Sequence, residues 1–225
     1  MPPEFDRYSA DYETAVERAI GFARQPHDVY LEAKVRKLLE LARRRLGSER
    51  VEALDVGCGS GGFARHLSGR VASLHGVDVS GAMVELAREA VPEAEFRVTK
   101  PGWLPYEDGL FDLAYAVCVL HHVARYERGK LLSEMARVTR HGGLVVVFEH
   151  NPWNPLTRRV VRDCDFDEAV ELLTRSRVSA SLRAAGLEVT DAEYLLFTPW
   201  PRAWALERGL SWVPLGAQHV VAARA

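Results

Sequence analysis

The chain has 225 residues, 48% hydrophobic and 27% charged, which is enough for one well-buried core. A formal net charge of −2 argues against a protein built to coat nucleic acid or an anionic membrane. No apolar run approaches the roughly 20 residues that span a bilayer, and the start at Met1-Pro2-Pro3-Glu4 lacks the basic and apolar regions of a secretory signal.

Residues 1–50 read as helical. Tyr12, Val16, Ile20 and Phe22 give a loose apolar face, interrupted at Gln25-Pro26-His27. Tyr30–Leu46 then places Leu31, Val35, Leu38, Leu39 and Ala42 at amphipathic spacing. Arg43, Arg44 and Arg45 complement the dipole of its last turn, and Gly47 stops it. From Val51 strands alternate with helices. The spacing predicts strands at Val51–Val56, Val71–Val77 (ending at Asp78), Glu95–Val98, Leu113–Val119 and Leu144–Phe148, the last entered by a turn at His141-Gly142-Gly143. Helices are predicted over Phe63–Leu67, over Ala82–Ala90, and through Leu131, Met135 and Val138. The alternation implies a mostly parallel sheet with helices on both faces, a Rossmann-like α/β fold. Asn151-Pro152-Trp153-Asn154-Pro155 reads as irregular, Val178–Ala185 as a helix closed by Gly186, and Leu187–Phe197 and Gln218–Ala223 as the last strands. The intervening Thr198–Gly216 is apolar enough to be expected to pack over something. The expected organisation is an N-terminal helical lid over residues 1–50 and a ligand-binding domain over 51–225, with its core at 51–150.

The informative stretch is Leu54-Asp55-Val56-Gly57-Cys58-Gly59-Ser60-Gly61. A strand feeds a glycine turn that opens a helix, so a ligand can approach the main chain with no Cβ in the way. Asp78 ends the next strand, where a carboxylate can accept hydrogen bonds from ribose hydroxyls. Gly57, Gly59 and Gly62 also satisfy G-x-G-x-x-G, a weak pattern for dinucleotides on its own. Asp55 separates the two readings. It would repel a pyrophosphate at the turn, whereas a ligand carrying an ammonium and a sulfonium gains from a carboxylate there.

Together with Leu104-Pro105-Tyr106-Glu107-Asp108-Gly109-Leu110-Phe111-Asp112, these residues resemble the class I S-adenosylmethionine-dependent methyltransferases. The similarity is to the "type 11" domain shared with ubiquinone and menaquinone biosynthesis methyltransferases, over about residues 51–150. The resemblance implies a seven-stranded sheet with Gln218–Ala223 as the antiparallel strand, inserted beside Leu144–Phe148. It implies S-adenosylmethionine as cofactor and S-adenosylhomocysteine as product. Asp55, Gly57, Cys58, Gly59 and Gly61 would hold the methionine part. Asp78 and Val79 would hold the ribose. Ala82 and Met83 would lie near the adenine, and Val117 and Leu120 beneath the cofactor. The family often has an acidic residue for the adenine amino group; here the corresponding stretch is Thr99-Lys100-Pro101-Gly102-Trp103. Lys100 cannot accept a hydrogen bond, which leaves Thr99 as an acceptor and Trp103 as a stacking surface.

Methyl transfer is an in-line displacement, accelerated largely by alignment, and a base is needed only if the acceptor must lose a proton. The candidates are His121, His122, Glu149 and His150, all at the C-terminal edge of predicted strands, where open α/β sheets bind ligands. Arg158, Arg159 and Arg162 read either as contacts for an anionic acceptor or as one solvated helix face. The N-terminal helices would shield the sulfonium from water. The histidines show no metal-type spacing, so no metal is expected. Cys58, Cys118 and Cys164 read as reduced residues of a cytoplasmic protein. The expected partner is a small-molecule methyl acceptor, not nucleic acid or membrane, with monomer and homodimer both open. A nicotinamide-dependent oxidoreductase and a cofactor-binding methyltransferase relative without turnover are the alternative functions.

Overall fold

The computed structural model describes residues 12–21, 25–164, 170–198 and 208–225. Two helices, α1 (Tyr12–Ile20) and α2 (His27–Leu46), lead into β1 (Glu52–Val56), α3 (Gly62–Leu67), β2 (Ser73–Asp78), α4 (Gly81–Ala90) and β3 (Glu95–Val98). The second half runs β4 (Phe111–Val117), α5 (Arg128–Val138), β5 (Thr139–His150), α6 (Pro155–Arg162), α7 (Arg175–Ala184), β6 (Glu188–Leu195) and β7 (Gln218–Arg224).

The seven strands form one sheet in the order β3-β2-β1-β4-β5-β7-β6. Strands β1 to β5 pair in parallel, whereas β7 runs antiparallel to both β5 and β6. The inserted antiparallel strand therefore lies where the family resemblance put it, with Phe148 opposite Val220. The strand order reverses at β1, between β2 and β4, and this switch point opens a crevice at the C-terminal ends of the strands. Nearly continuous apolar strands fit a sheet buried on both faces. One core lies under α2, α3 and α4, with Tyr115, Phe148 and Phe63 at its centre; the other lies under α5 and α7.

Helix α2 is held at its C-terminal end. Gly47 adopts φ of +76° and donates its N–H to Arg43 O, the left-handed stop that glycine makes without Cβ strain. Beyond complementing the dipole, the arginine run reaches the sheet: Arg45 bonds Asp191 at 2.8 Å and Arg44 bonds Glu193 at 3.0 Å, tying α2 to β6.

Two expectations are corrected. The His141–Gly143 stretch is part of a continuous β5, and the register slips there between Phe111 and Leu113 of β4. A Cβ on Gly143 would come within 2.8 Å of Asp112 O, so the backbones approach too closely for a side chain. Pro155 is the first residue of α6, not loop. Asn154 caps it by accepting from Leu156 and Thr157 N–H, and a missing N–H costs nothing at that position. The Thr198–Gly216 segment lies partly outside the described residues, so that expectation stays open; in its described part Trp212 is 73% exposed, while the Ser211 carbonyl accepts from Tyr194 N–H and the Pro214 and Gly216 carbonyls from Asn151.

Candidate functional site

The turn after β1 is built by three glycines with positive φ, and they do different work. Gly57 sits at +78°, and a Cβ there would come within 2.6 Å of Val119 Cγ2. Gly61 sits at +81°, and a Cβ would come within 3.0 Å of the Ala87 Cα. These two are required by internal packing. Gly59, at +52°, has no protein atom within 4 Å of its ideal Cβ. Its open side is the place where a ligand can meet bare backbone.

The backbone donors of the turn are largely spent. Gly57 and Cys58 N–H both donate to Val77 O, Gly61 N–H donates to Cys58 O, and Gly59 N–H donates to Asp78 Oδ2 at 3.0 Å. A pyrophosphate cradle needs such N–H groups pointing outward. Their inward use, with Asp55 beside them, disfavours a dinucleotide on geometry as well as charge.

Asp55 is 1% exposed, and its Oδ2 is buried with no hydrogen-bond partner. Burial, with Asp78 nearby, pushes its carboxyl up to about 7, against a smaller opposing pull from Tyr115. The Tyr115 hydroxyl lies close enough for that pull, yet the pair stops short of a hydrogen bond, since Tyr115 Oη is also buried and unpaired. An orphaned carboxylate oxygen beside an open glycine suits the ammonium of S-adenosylmethionine.

Asp78 holds the turn together. Its Oδ2 takes Gly59 N–H, and its Oδ1 takes Ser80 N–H at 2.9 Å. Ser80, not Asp78, caps α4, accepting from Met83 N–H. Asp78 therefore contributes to folding as well as facing the turn. Asp78→Ala is expected to lower stability by about 1–3 kcal/mol and, if the carboxylate also holds the ribose, to weaken cofactor binding roughly 10- to 150-fold. Thermal melts and calorimetry on the one mutant check this; a stability loss with intact binding removes Asp78 from the cofactor site.

A cavity of about 880 Å³ opens beside the turn. Asp55, Gly57, Cys58 and Gly59 line one side of it, and Val117, His121, His122 and His150 line the sheet edge. Val16, Ile20, Leu31 and Lys34 of α1 and α2 also face it. Cys58 contributes to the wall, but its side chain belongs to the core and burial pushes its thiol well up. Gly61, Asp78, Val79, Met83, Thr99, Trp103, Leu120 and Glu149 are not on this wall. Asp78 ends β2, Val79 follows it, and Thr99 and Trp103 follow β3. Thr99 N–H bonds Asp78 O, and Trp103 is 47% exposed. The Thr99 hydroxyl donates to Trp103 O at 2.5 Å. Met83 and Leu120 are core residues, 1% exposed each.

Glu149 was expected to reach the acceptor. It is instead 0% exposed, behind the wall. Its Oε2 lies 2.6 Å from His121 Nδ1, and its Oε1 accepts from Leu120 N–H at 2.8 Å. Burial alone would push this carboxyl up; His121 above all, then His150 and His219, outweighs it and holds Glu149 down at about 2. Glu149 is thus ionised and accepts from His121 Nδ1–H, which fixes the ring with Nε2 on the side away from the carboxylate. His122 and His150 flank His121, with ring centroids at 4.1 and 5.3 Å. Gln218 of β7 joins the cluster. Its Nε2 lies 3.4 Å from His150 Nδ1 and from Cys118 Sγ, while its Oε1 is buried without a partner. Cys118 itself has φ of +57°, an unusual angle for a side-chain-bearing residue, at the end of β4.

Two residues escaped the sequence reading. Gln218 was hidden because its contacts come from a strand 100 residues away. Lys34 carried a signal, since it lies three residues after Leu31 and four before Leu38, a charge within the apolar stripe of α2. Arg158, Arg159 and Arg162 form the solvated face: Arg159 and Arg162 pair with Asp163, with side chains 57% and 74% exposed.

Residues 54–147 match the family model described as a methyltransferase domain. The chain is 28% identical over 209 residues to a "Probable fatty acid methyltransferase" of Pseudomonas putida, covering 85% of this chain and 52% of that protein. It is 32% identical over 102 residues to the "Ubiquinone/menaquinone biosynthesis C-methyltransferase UbiE" of Campylobacter jejuni, covering 42% of this chain and 43% of that protein. The chain thus spans about half the length of these relatives. Among solved structures, it resembles an S-adenosylmethionine-dependent methyltransferase of Thermotoga maritima described as a possible histamine N-methyltransferase. The TM-score is 0.69 at 20% identity, over 98% of this chain and 97% of that one, a likeness of fold.

Proposed function

We propose that this chain, whose residues 54–147 match a methyltransferase domain, is a class I, type 11 S-adenosylmethionine-dependent methyltransferase that methylates a small-molecule acceptor held in the cavity between the glycine turn and His121. The observation that carries the reading is that one cavity has an open glycine and an orphaned carboxylate on one side and a carboxylate-backed histidine on another. At about 880 Å³ it falls among clefts of roughly 300–1,000 Å³ that enclose whole small ligands.

When bound, S-adenosylmethionine supplies an electrophilic methyl group on a sulfonium. Asp55 would hold its ammonium, and Gly59 would admit its amino-acid end against the main chain. His121 Nε2 would take the proton that an oxygen or nitrogen acceptor loses as its new bond to carbon forms and the carbon–sulfur bond breaks. Glu149 would act through His121, fixing the tautomer and stabilising the imidazolium. Helices α1 and α2 would exclude water.

Calorimetric titration with S-adenosylhomocysteine and, separately, NAD tests the reading. Binding of the first and not the second is expected, and the reverse would assign the fold to a dinucleotide. The pH dependence is a sharper check. Asp55 is raised, so the native state keeps a proton that the unfolded chain loses, and stability falls as pH rises from the ordinary aspartate range to about 7. An ammonium needs the ionised form, so S-adenosylhomocysteine should bind more weakly by up to about tenfold per pH unit below 7. Asp55→Asn should flatten that profile. A profile flat in the unmodified protein would remove Asp55 from the site.

A further inference from the structure

Lys34 is 4% exposed, lies on the inner face of α2, and lines the cavity. Among the described residues its ammonium has neither a hydrogen bond nor an ion pair. Cys118 and then Glu149 are close enough to act on it electrostatically, but neither forms a hydrogen bond or ion pair with it, and both oxygens of Glu149 are committed to His121 and Leu120. Besides the His121, His122 and His150 cluster, two other basic groups on this wall are otherwise placed. Arg65 pairs with Asp28, and burial draws His27 down to about 4, so it is neutral near pH 7. Lys34 is therefore an amine taken out of water that no described residue pairs directly, and burial pulls its pKa down.

A buried, unpaired charge is costly to folding. The cost is avoidable here, because Leu31, Val35 and Leu38 surround the position and an aliphatic residue would continue their stripe. What such a charge gains is an anion brought by a ligand. Gln218 Oε1, buried without a partner on the same cavity wall, adds a place for a hydroxyl or amine hydrogen. Apolar walls from Ile20, Leu31, Val160 and Leu196 complete the lining.

We propose that Lys34 binds the carboxylate of the methyl acceptor, so that the acceptor is an acidic small molecule with an apolar body. This rests on the reading that the cavity beside His121 is the acceptor site. The cofactor carries a carboxylate too, and the two sources are separable.

The test uses the full chain and its Lys34→Met and Lys34→Arg variants. Octanoate, with neutral octanol as control, is titrated with and without S-adenosylhomocysteine; S-adenosylhomocysteine is also compared with 5′-methylthioadenosine, which lacks the amino-acid end. Lys34→Met should melt higher than the unmodified protein, since it relieves an unpaired buried charge. It should lose octanoate binding by more than tenfold, with octanol and both nucleosides unaffected, and Lys34→Arg should retain part of it. Octanoate binding that ignores Lys34→Met, or no octanoate binding at all, overturns the proposal. So does a loss confined to S-adenosylhomocysteine and absent for 5′-methylthioadenosine, which would assign Lys34 to the cofactor. Failure of the unmodified protein to bind S-adenosylhomocysteine would instead sink the methyltransferase reading, and the octanoate arm without nucleoside still judges Lys34.

Discussion

Glu149→Ala is expected to destabilise the fold by about 3–5 kcal/mol, the cost of breaking a buried pair from one side. The carboxylate is 0% exposed and holds two groups, the His121 ring and Leu120 N–H, which would both lose their partner in a site with no room for bulk water. Chemical denaturation measures the effect, and a loss under about 1 kcal/mol would mean that the pair is not buried in solution. Glu149→Gln keeps an acceptor for Leu120 and should recover part of the stability, but it no longer favours an imidazolium at His121. Turnover should therefore stay low in the Gln variant, by roughly 10²–10⁴-fold if His121 is the base. The pH dependence has a definite sign. Glu149 is depressed to about 2, so its contribution is full above the ordinary glutamate range and is lost as pH falls towards 2.

Gly59→Val is expected to cut affinity for S-adenosylhomocysteine by more than about tenfold while the chain still folds. The residue has φ of +52°, so a branched side chain is strained there, and that strain should appear as about 1–3 kcal/mol in stability. The ideal Cβ meets no protein atom within 4 Å, so the side chain would enter the space left for ligand. Gly57→Val is the contrast. Its side chain would run into Val119 instead, and the damage should be to folding first. Unchanged affinity in the Gly59 variant would move the site away from this turn.

These contrasts mark how far sequence reasoning reached. The strand–turn–helix at Leu54–Gly61 was legible because apolar periodicity, glycine and a strand-end aspartate agree on one local answer. Strand β3 was read to the residue, and Gly47 and Gly186 were recognised as stops for the same reason. What depends on partners far along the chain was not legible. Nothing local says that Asp78 spends both oxygens on backbone donors, or that Glu149 faces inward to His121. The His141–Gly143 stretch has turn composition, yet the close approach of β4 draws it into the sheet. Lys34 was readable as an anomaly in the α2 stripe, but only the cavity gives the anomaly a meaning.

The insertion of β7 between β5 and β6 has a consequence for the order in which the protein is made. Residues 54–147, which carry the family pattern, leave the ribosome some 70 residues before Gln218–Arg224. Throughout that interval one flank of β5, with its run of Val145, Val146 and Val147, offers unpaired N–H and C=O groups to any passing strand. Strand β6 cannot shield it, since β6 pairs only with β7. The nascent chain is thus most prone to mispairing when its cofactor half is already complete, and slow synthesis across residues 150–217 should lower the soluble yield more than the same delay earlier in the chain.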